Sequence, residues 1–233
     1  NTVGYNLIFI FIGLALAVTM AVLLNEITNK IFSKLYQTVL ILPHFFSFVI
    51  VSYLAFAFLS AEYGYLNKYI LPLFGVEPIN WYINPKPWPL ILPIVSFWKN
   101  TGYNSIIYTA AIAGIDMQLY EAAKIDGANK WQQICKITIP SLKPLMIIMT
   151  ILNVGKIFSA DFGLFYQVTL NSGALYPSTY VLNTYIYNML TTAGTSSMGM
   201  ASAASFYQSV VGLILVLTTN YIVKRIEPDS SLF

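Results

Sequence analysis

The sequence predicts an all-α protein, a polytopic bundle of transmembrane helices, and three observations predict it. Hydrophobic residues make up 57% of the 233 positions and charged ones only 9%, with a mean hydropathy of +0.67, outside the range of soluble domains. Five apolar stretches are long enough to cross a hydrocarbon core about 30 Å thick, which takes about 20 helical residues. Charge is set apart from them: residues 116–143 hold seven of the 21 charged side chains. A charge at the bilayer centre costs roughly 3 kcal/mol or more, so this segment belongs in water or against a wet protein surface.

The five expected spans are residues 5–24, 39–60, 89–115, 145–160 with some extension, and 203–223. Basic residues orient them, because cytoplasmic loops carry the excess of Lys and Arg. Lys30 and Lys34 follow the first span, Lys124, Lys130, Lys136 and Lys143 lie between the third and fourth, and Lys224 and Arg225 follow the fifth. All three groups fall on one side. The opposite connections hold only Lys68 and Lys86, so Asn1 is expected outside and Phe233 inside. An odd span count with an external start implies that a preceding helix is missing from this chain.

Two connections are longer than simple tethers. Residues 62–88 contain Trp81, Tyr82 and Trp88 among Pro72, Pro78, Pro85 and Pro87, and read either as an interfacial aromatic belt or as a contact surface for a delivery protein or sugar. Residues 162–202 have no Lys or Arg, and 181–190 within them could form a short helix or re-entrant segment. The run of Ala201, Ser202, Ala203, Ala204 and Ser205 suits close helix packing at the start of the last span.

The charged island, EAAKIDGANKWQQICKITIPSLKP at residues 121–144, reads as two short helices at an angle. Glu121 with Lys124, and Asp126 with Lys130, are spaced to meet on helix faces. Gly127 costs about 1 kcal/mol relative to alanine inside a helix, which points to a bend or a close approach there. Ala128, Trp131 and Cys135 recur at helical spacing, leaving Lys130, Gln133 and Lys136 on other faces. Pro140 and Pro144 are expected to end the element before the next span.

Glu121, Ala122 and Ala123, then Gly127, then Ile137 and Pro140 resemble the EAA signature of bacterial binding-protein-dependent ABC importers, which reads EAA, three residues, Gly, nine residues, I-x-L-P. Ile139 replaces the usual Leu. SIIYTAAIAGID before the motif and SVVGLILVLTTNYIVKR near the end are similar to carbohydrate-importer permeases. LNE near Asn25 and QTVLILPHFFSFVIV resemble the branch that handles polysaccharide fragments and aldouronate-type oligosaccharides.

The resemblance implies one type I importer transmembrane domain over residues 1–233, with an additional N-terminal helix in family members and a coupling loop at 116–143. It implies a multi-pass protein of the bacterial cytoplasmic membrane, with the EAA loop and C-terminus cytoplasmic. Expected partners are a second permease, two cytoplasmic ATP-binding subunits, an extracytoplasmic solute-binding protein and a carbohydrate, within a lipid bilayer. Glu121, Ala122, Ala123 and Gly127, with Asp126 beside them, are the expected coupling residues. ATP and Mg are expected on the partner subunits, because Gly155-Lys156-Ile157 does not complete a phosphate-binding loop.

Polar residues in the spans are candidates for a translocation path. Lys99, Asn100 and Tyr103 lie near one another around the third span, and Asn153 and Lys156 are expected on one face of the fourth. Lys99, Asn153 and Lys156 would then line a polar cavity, although carbonyl bonding or snorkelling by Lys99 fits equally well. Trp98, Tyr103 and Tyr108 either stack on sugar rings or pack helices. Lys156 and Asp161, five apart, are not expected to pair.

A membrane-embedded enzyme is the competing class, together with a permease for a non-sugar solute. His44 has no acidic neighbour in sequence and reads as an interfacial residue, while Cys135 sits in the charged island. No catalytic motif or metal-spaced cluster appears. A net charge of +3 is too small to indicate nucleic-acid binding.

Overall fold

The protein is described by a computed structural model that covers residues 1–192 and 195–226; the side chains of 30, 192, 195, 196 and 226 are not described. Phe233, expected on the inner side, lies outside the described residues. Among those residues every regular element is helical, as the apolar composition and absence of strand periodicity require.

In chain order the main helices are α1 (Thr2–Asn25), α2 (Lys30–Ile41), α3 (Phe48–Leu59), α4 (Trp88–Ala113), α5 (Met117–Ile125), α6 (Lys130–Gln133), α7 (Ile139–Val154), α8 (Tyr176–Thr179), α9 (Leu182–Thr192) and α10 (Thr195–Ile226). Among the described residues three helices are long and apolar enough to cross a membrane: Thr2–Asn25, Lys130–Val154 and Ser197–Arg225. Helix α4 matches the expected third span in position, but Lys99, Asn100 and Asn104 dilute its apolar character.

Two expected spans are redrawn. Residues 39–60 do not form one helix: Ile31–Phe45 and Phe48–Leu59 meet that criterion only as a bent pair. Pro43 lacks the N–H needed to continue the ladder, a 3₁₀ turn runs over Leu42–Phe45, and Ser47 Oγ caps α3 by accepting from Ile50 N. The fourth span also shifts toward the N-terminus. Pro140 and Pro144 do not end the preceding element but lie within a continuous Lys130–Val154 helix. A π-helical turn at Ile134–Thr138 widens the backbone just before Pro140, where the ring would otherwise press on the carbonyl one turn back.

The chain forms two compact units. One contains Asn1–Ile8, Phe46–Ser96 and Lys156–Leu213; the other contains Phe9–Phe45, Phe97–Gly155 and the chain from Ile214. In the second unit Ala17 and Ala21, one turn apart on α1, are fully buried with Val18, Tyr108, Ile112 and Leu142. Small side chains there let α1 approach α4 and α7 closely. Tyr108 is therefore a packing residue.

In the first unit, Asn67 organises the connection at 62–88. Its amide donates to the carbonyls of Ser60, Ala61 and Ile79 and accepts from Ile79 N and Trp81 Nε1. Trp88, fully buried, donates to the Trp81 carbonyl at 2.7 Å. These hydrogen bonds tie both tryptophans into the connection itself. Within residues 162–202, α9 spans Leu182–Thr192, in line with the short helix expected at 181–190.

Candidate functional site

The charged island folds as a capped helix–turn–helix in the second unit. Asp116 accepts from Gln118 N at 2.9 Å and starts α5, which carries Glu121, Ala122 and Ala123. Asp126 caps its C-terminus. Gly127 adopts φ +79°, while Gly127 N bonds the Lys124 carbonyl and Ala128 N the Ala123 carbonyl. This pair of bonds is the Schellman arrangement, with the left-handed residue placed immediately after the cap. Open space surrounds the position a Gly127 side chain would take, so the glycine is required by the bend rather than by close approach within this chain. Asn129 and Gln132 then form a reciprocal capping box that starts α6.

Three contacts make this knob continuous with the helices beyond it. Tyr120 Oη lies 2.9 Å from Thr138 Oγ1 in the π turn. Buried Gln133 donates to the Ala128 carbonyl. Lys130 Nζ lies 2.9 Å from Glu26 Oε2 at the end of α1. The helix-face pairs expected from spacing do not form among the described residues: the Gly127 turn puts Asp126 and Lys130 on different helices, and Lys130 pairs with Glu26. The expected stripe is also inverted, since Gln133 faces inward while Trp131 and Cys135 are exposed.

A cleft of about 340 Å³ lies between the arms, lined by residues including Ala123, Asp126, Gly127, Gln132, Lys136 and Ile137. Outside it, Ile125 is 87% and Trp131 71% exposed. Large apolar side chains beside exposed Glu121 and Asp126, on a rigid turn, have the composition of a protein-docking surface. The sequence reading picked out the motif but missed Ile125 as its exposed apolar face.

A second polar cluster surrounds the break after α2. Lys99 is only 5% exposed, and its ammonium donates to the carbonyls of His44 at 2.6 Å and Pro43 at 3.4 Å. These carbonyls are freed by the end of helical pairing, and a cation is a strong donor for them. Asn100 Oδ1 lies 3.2 Å from His44 Nδ1, a hydrogen bond in the His44 tautomer that carries its proton on Nδ1 and leaves Nε2 as an acceptor. The Tyr103 and His44 rings stack at 3.9 Å and 4°. Gly102 permits this contact, because a β-carbon there would collide with the Leu40 carbonyl.

His44 is therefore not a solitary interfacial residue but the centre of the Lys99–Asn100–Tyr103 constellation. Its Nε2, the Asn100 amide nitrogen and the Tyr103 hydroxyl make no hydrogen bond among the described residues. An acceptor, a donor and a hydroxyl thus stand together and can meet a polyhydroxylated solute.

Asn153 and Lys156 do not share a helical face. Helix α7 ends at Val154, Asn153 is exposed, and Lys156 lies beyond the Gly155 cap. Asp161 accepts from Leu164 N and is not paired with Lys156 among the described residues, as its spacing implied. Residues 157–160 leave the helix, and their backbone is held by Asn6, Asn183 and Gln208. The sequence reading missed all three. The available signal was an isolated amide within, or beside, an apolar run.

The family model described as "Binding-protein-dependent transport system inner membrane component" matches residues 11–228. Protein LplB of Bacillus subtilis (strain 168) is 35% identical over 213 residues, which are 90% of this chain and 64% of LplB. The polygalacturonan/rhamnogalacturonan transport system permease protein YteP of the same organism is 34% identical, over 89% of this chain and 63% of YteP. The chain thus spans just under two thirds of the length of these two relatives. The lactose transport system permease protein LacF of Rhizobium radiobacter is 35% identical, over 94% of this chain and 72% of LacF. Among solved structures, a chain of a bacterial alginate ABC transporter in complex with an alginate pentasaccharide-bound periplasmic protein superposes with a TM-score of 0.89 at 32% identity, covering 97% of this chain and 77% of that one.

Proposed function

The chain belongs to the family of binding-protein-dependent transport system inner membrane components, and from that premise we propose that it is the permease subunit of an ATP-driven ABC importer for an oligosaccharide. The subunit has no nucleotide site of its own in this reading; ATP and Mg act on two cytoplasmic partner subunits. A second permease and an extracytoplasmic solute-binding protein complete the assembly. The multi-pass chain is oriented with residues 116–143 in the cytoplasm, as the clustering of Lys and Arg supports.

The observation that carries the proposal is the Gly127 turn. It joins a helix bearing Glu121, Ala122 and Ala123 to one running without interruption from Lys130 to Val154. A body docked on Ile125 and Trp131 can move this knob, and the braces at Tyr120–Thr138 and Lys130–Glu26 pass the displacement to α7 and α1. Nucleotide-driven closure of the partners then shifts the population between inward-facing and outward-facing states.

The substrate class is supported by the names of YteP and LacF and by the alginate transporter, and by the unused polar groups of His44, Asn100 and Tyr103. Tyr103 offers an aromatic face, Asn100 a donor and His44 an acceptor for sugar hydroxyls. Lys99 acts mainly as the support beneath them. Asn153 and exposed Lys156 are further candidates for the path. The test is uptake by proteoliposomes containing the permease with its co-purified partners. Import of lactose, an oligogalacturonate or an alginate oligosaccharide that requires ATP and a binding protein is expected, and no ATP-dependent import of any of them contradicts the proposal.

A further inference from the structure

Residues 157–160 follow α7 without continuing it, so their carbonyls lack the N–H groups that a further helical turn would supply. In a hydrocarbon environment water does not replace those donors, and each unmet group costs several kcal/mol. Neutral amides from three helices take over this backbone instead: two donate to its carbonyls and the third accepts from one of its N–H groups. Asn6 on α1 donates to the carbonyls of Ile157 at 2.8 Å and Ser159 at 3.2 Å. Gln208 on α10 donates to the Phe158 carbonyl at 2.5 Å and to Asn183 Oδ1 at 3.0 Å. Asn183 on α9 also accepts from Ala160 N at 2.9 Å.

The Gln208 amide nitrogen is therefore shared between the Phe158 carbonyl and Asn183 Oδ1, and that same oxygen accepts from Ala160 N, so the two side chains together hold one short piece of backbone. All of these groups lie within the first compact unit. A primary amide suits the position because it donates and accepts without carrying a charge into an apolar bundle.

We infer that Asn6, Asn183 and Gln208 are positioning residues that hold residues 157–160 out of the helix and thereby fix the exposed Lys156 in the solute path. The inference rests on the transport reading above. If the amides are removed, the segment regains partners by extending α7 through Gly155, which rotates Lys156 away from its present direction. Transmembrane hydrogen bonds of this kind have energies that correspond to roughly three- to twentyfold effects.

The experiment uses the reconstituted importer with its partner subunits and whichever saccharide of the lactose, oligogalacturonate and alginate set the wild type imports. Gln208→Leu and Asn183→Leu are expected to raise the KM for uptake roughly three- to twentyfold, with a smaller effect on maximal rate. The double variant should be no worse than the worse single one, because the two side chains serve one backbone segment. Lys156→Met should add little in the Gln208→Leu background. If Gln208→Leu does not assemble, Asn6→Leu, which removes two other bonds to the same segment, carries the same KM expectation. A lower melting temperature with unchanged KM in the assembled variants overturns the inference, as does full additivity with Lys156→Met. No import by the wild type overturns the transport reading along with it, whereas normal import with unchanged KM in the variants overturns the inference alone.

Discussion

The Lys99 ammonium lies 2.6 Å from the backbone carbonyl oxygen of His44. A charge in an apolar span is thereby committed to closing a helix break, which leaves His44, Asn100 and Tyr103 as the groups of this cluster that can meet a solute.

Lys99→Met is expected to act on stability. A hydrogen bond from a charged donor contributes about 1.5–3 kcal/mol net, which for a chain of this length corresponds to a fall in melting temperature of roughly 3–12 °C. Thermal unfolding of the purified complex reads this directly. An unchanged melting temperature together with a raised KM would instead place Lys99 against the solute.

His44→Phe keeps an aromatic ring against Tyr103 but removes both ring nitrogens. Loss of one acceptor for a sugar hydroxyl should raise the uptake KM about tenfold, the effect of roughly 1.4 kcal/mol. Saturation curves at matched protein density check it. A KM equal to wild type would assign the stack to packing alone.

The Lys130–Glu26 pair predicts a charge-reversal effect. Both side chains reach solvent, so the pair itself contributes at most about 1 kcal/mol. Glu26→Lys places two cations together and should lower uptake several-fold, and Glu26→Lys with Lys130→Glu should restore it. Failure of the double reversal to recover uptake, measured at equal membrane abundance, would show that the contact does not transmit motion.

Orientation is tested through Cys135, an exposed thiol in the knob. A membrane-impermeant maleimide should leave it unmodified in intact cells and label it in inverted vesicles stripped of peripheral subunits. Strong labelling of intact cells would reverse the topology.

The all-α class was legible because it depends on composition, and the EAA motif because its spacing reflects local chemistry: Gly127 donates one of the two backbone bonds that close the Schellman turn and Ala123 accepts the other. The break at Pro43 was not legible as a break, because an apolar run of 22 residues has the same composition whether straight or bent. Pro140 misled for the opposite reason. A proline normally stops a helix, but the π turn at Ile134–Thr138 accommodates it, and that turn leaves no periodic signal. His44, Asn6, Asn183 and Gln208 acquire roles only through partners more than twenty residues away in the chain, which no local pattern encodes.

The docking role of the Gly127 turn is tested most directly by measuring the ATP-binding subunit retained on the immobilised permease, wild type against Gly127→Glu, at equal permease loading. Glutamate at φ +79° strains the turn by roughly 1 kcal/mol or more and projects a charge into the cleft beside Asp126. The wild type should retain the ATPase, and the variant should lose most of it while still inserting in the membrane. Equal retention by both would contradict the assignment of residues 116–143 as the surface on which the ATPase docks.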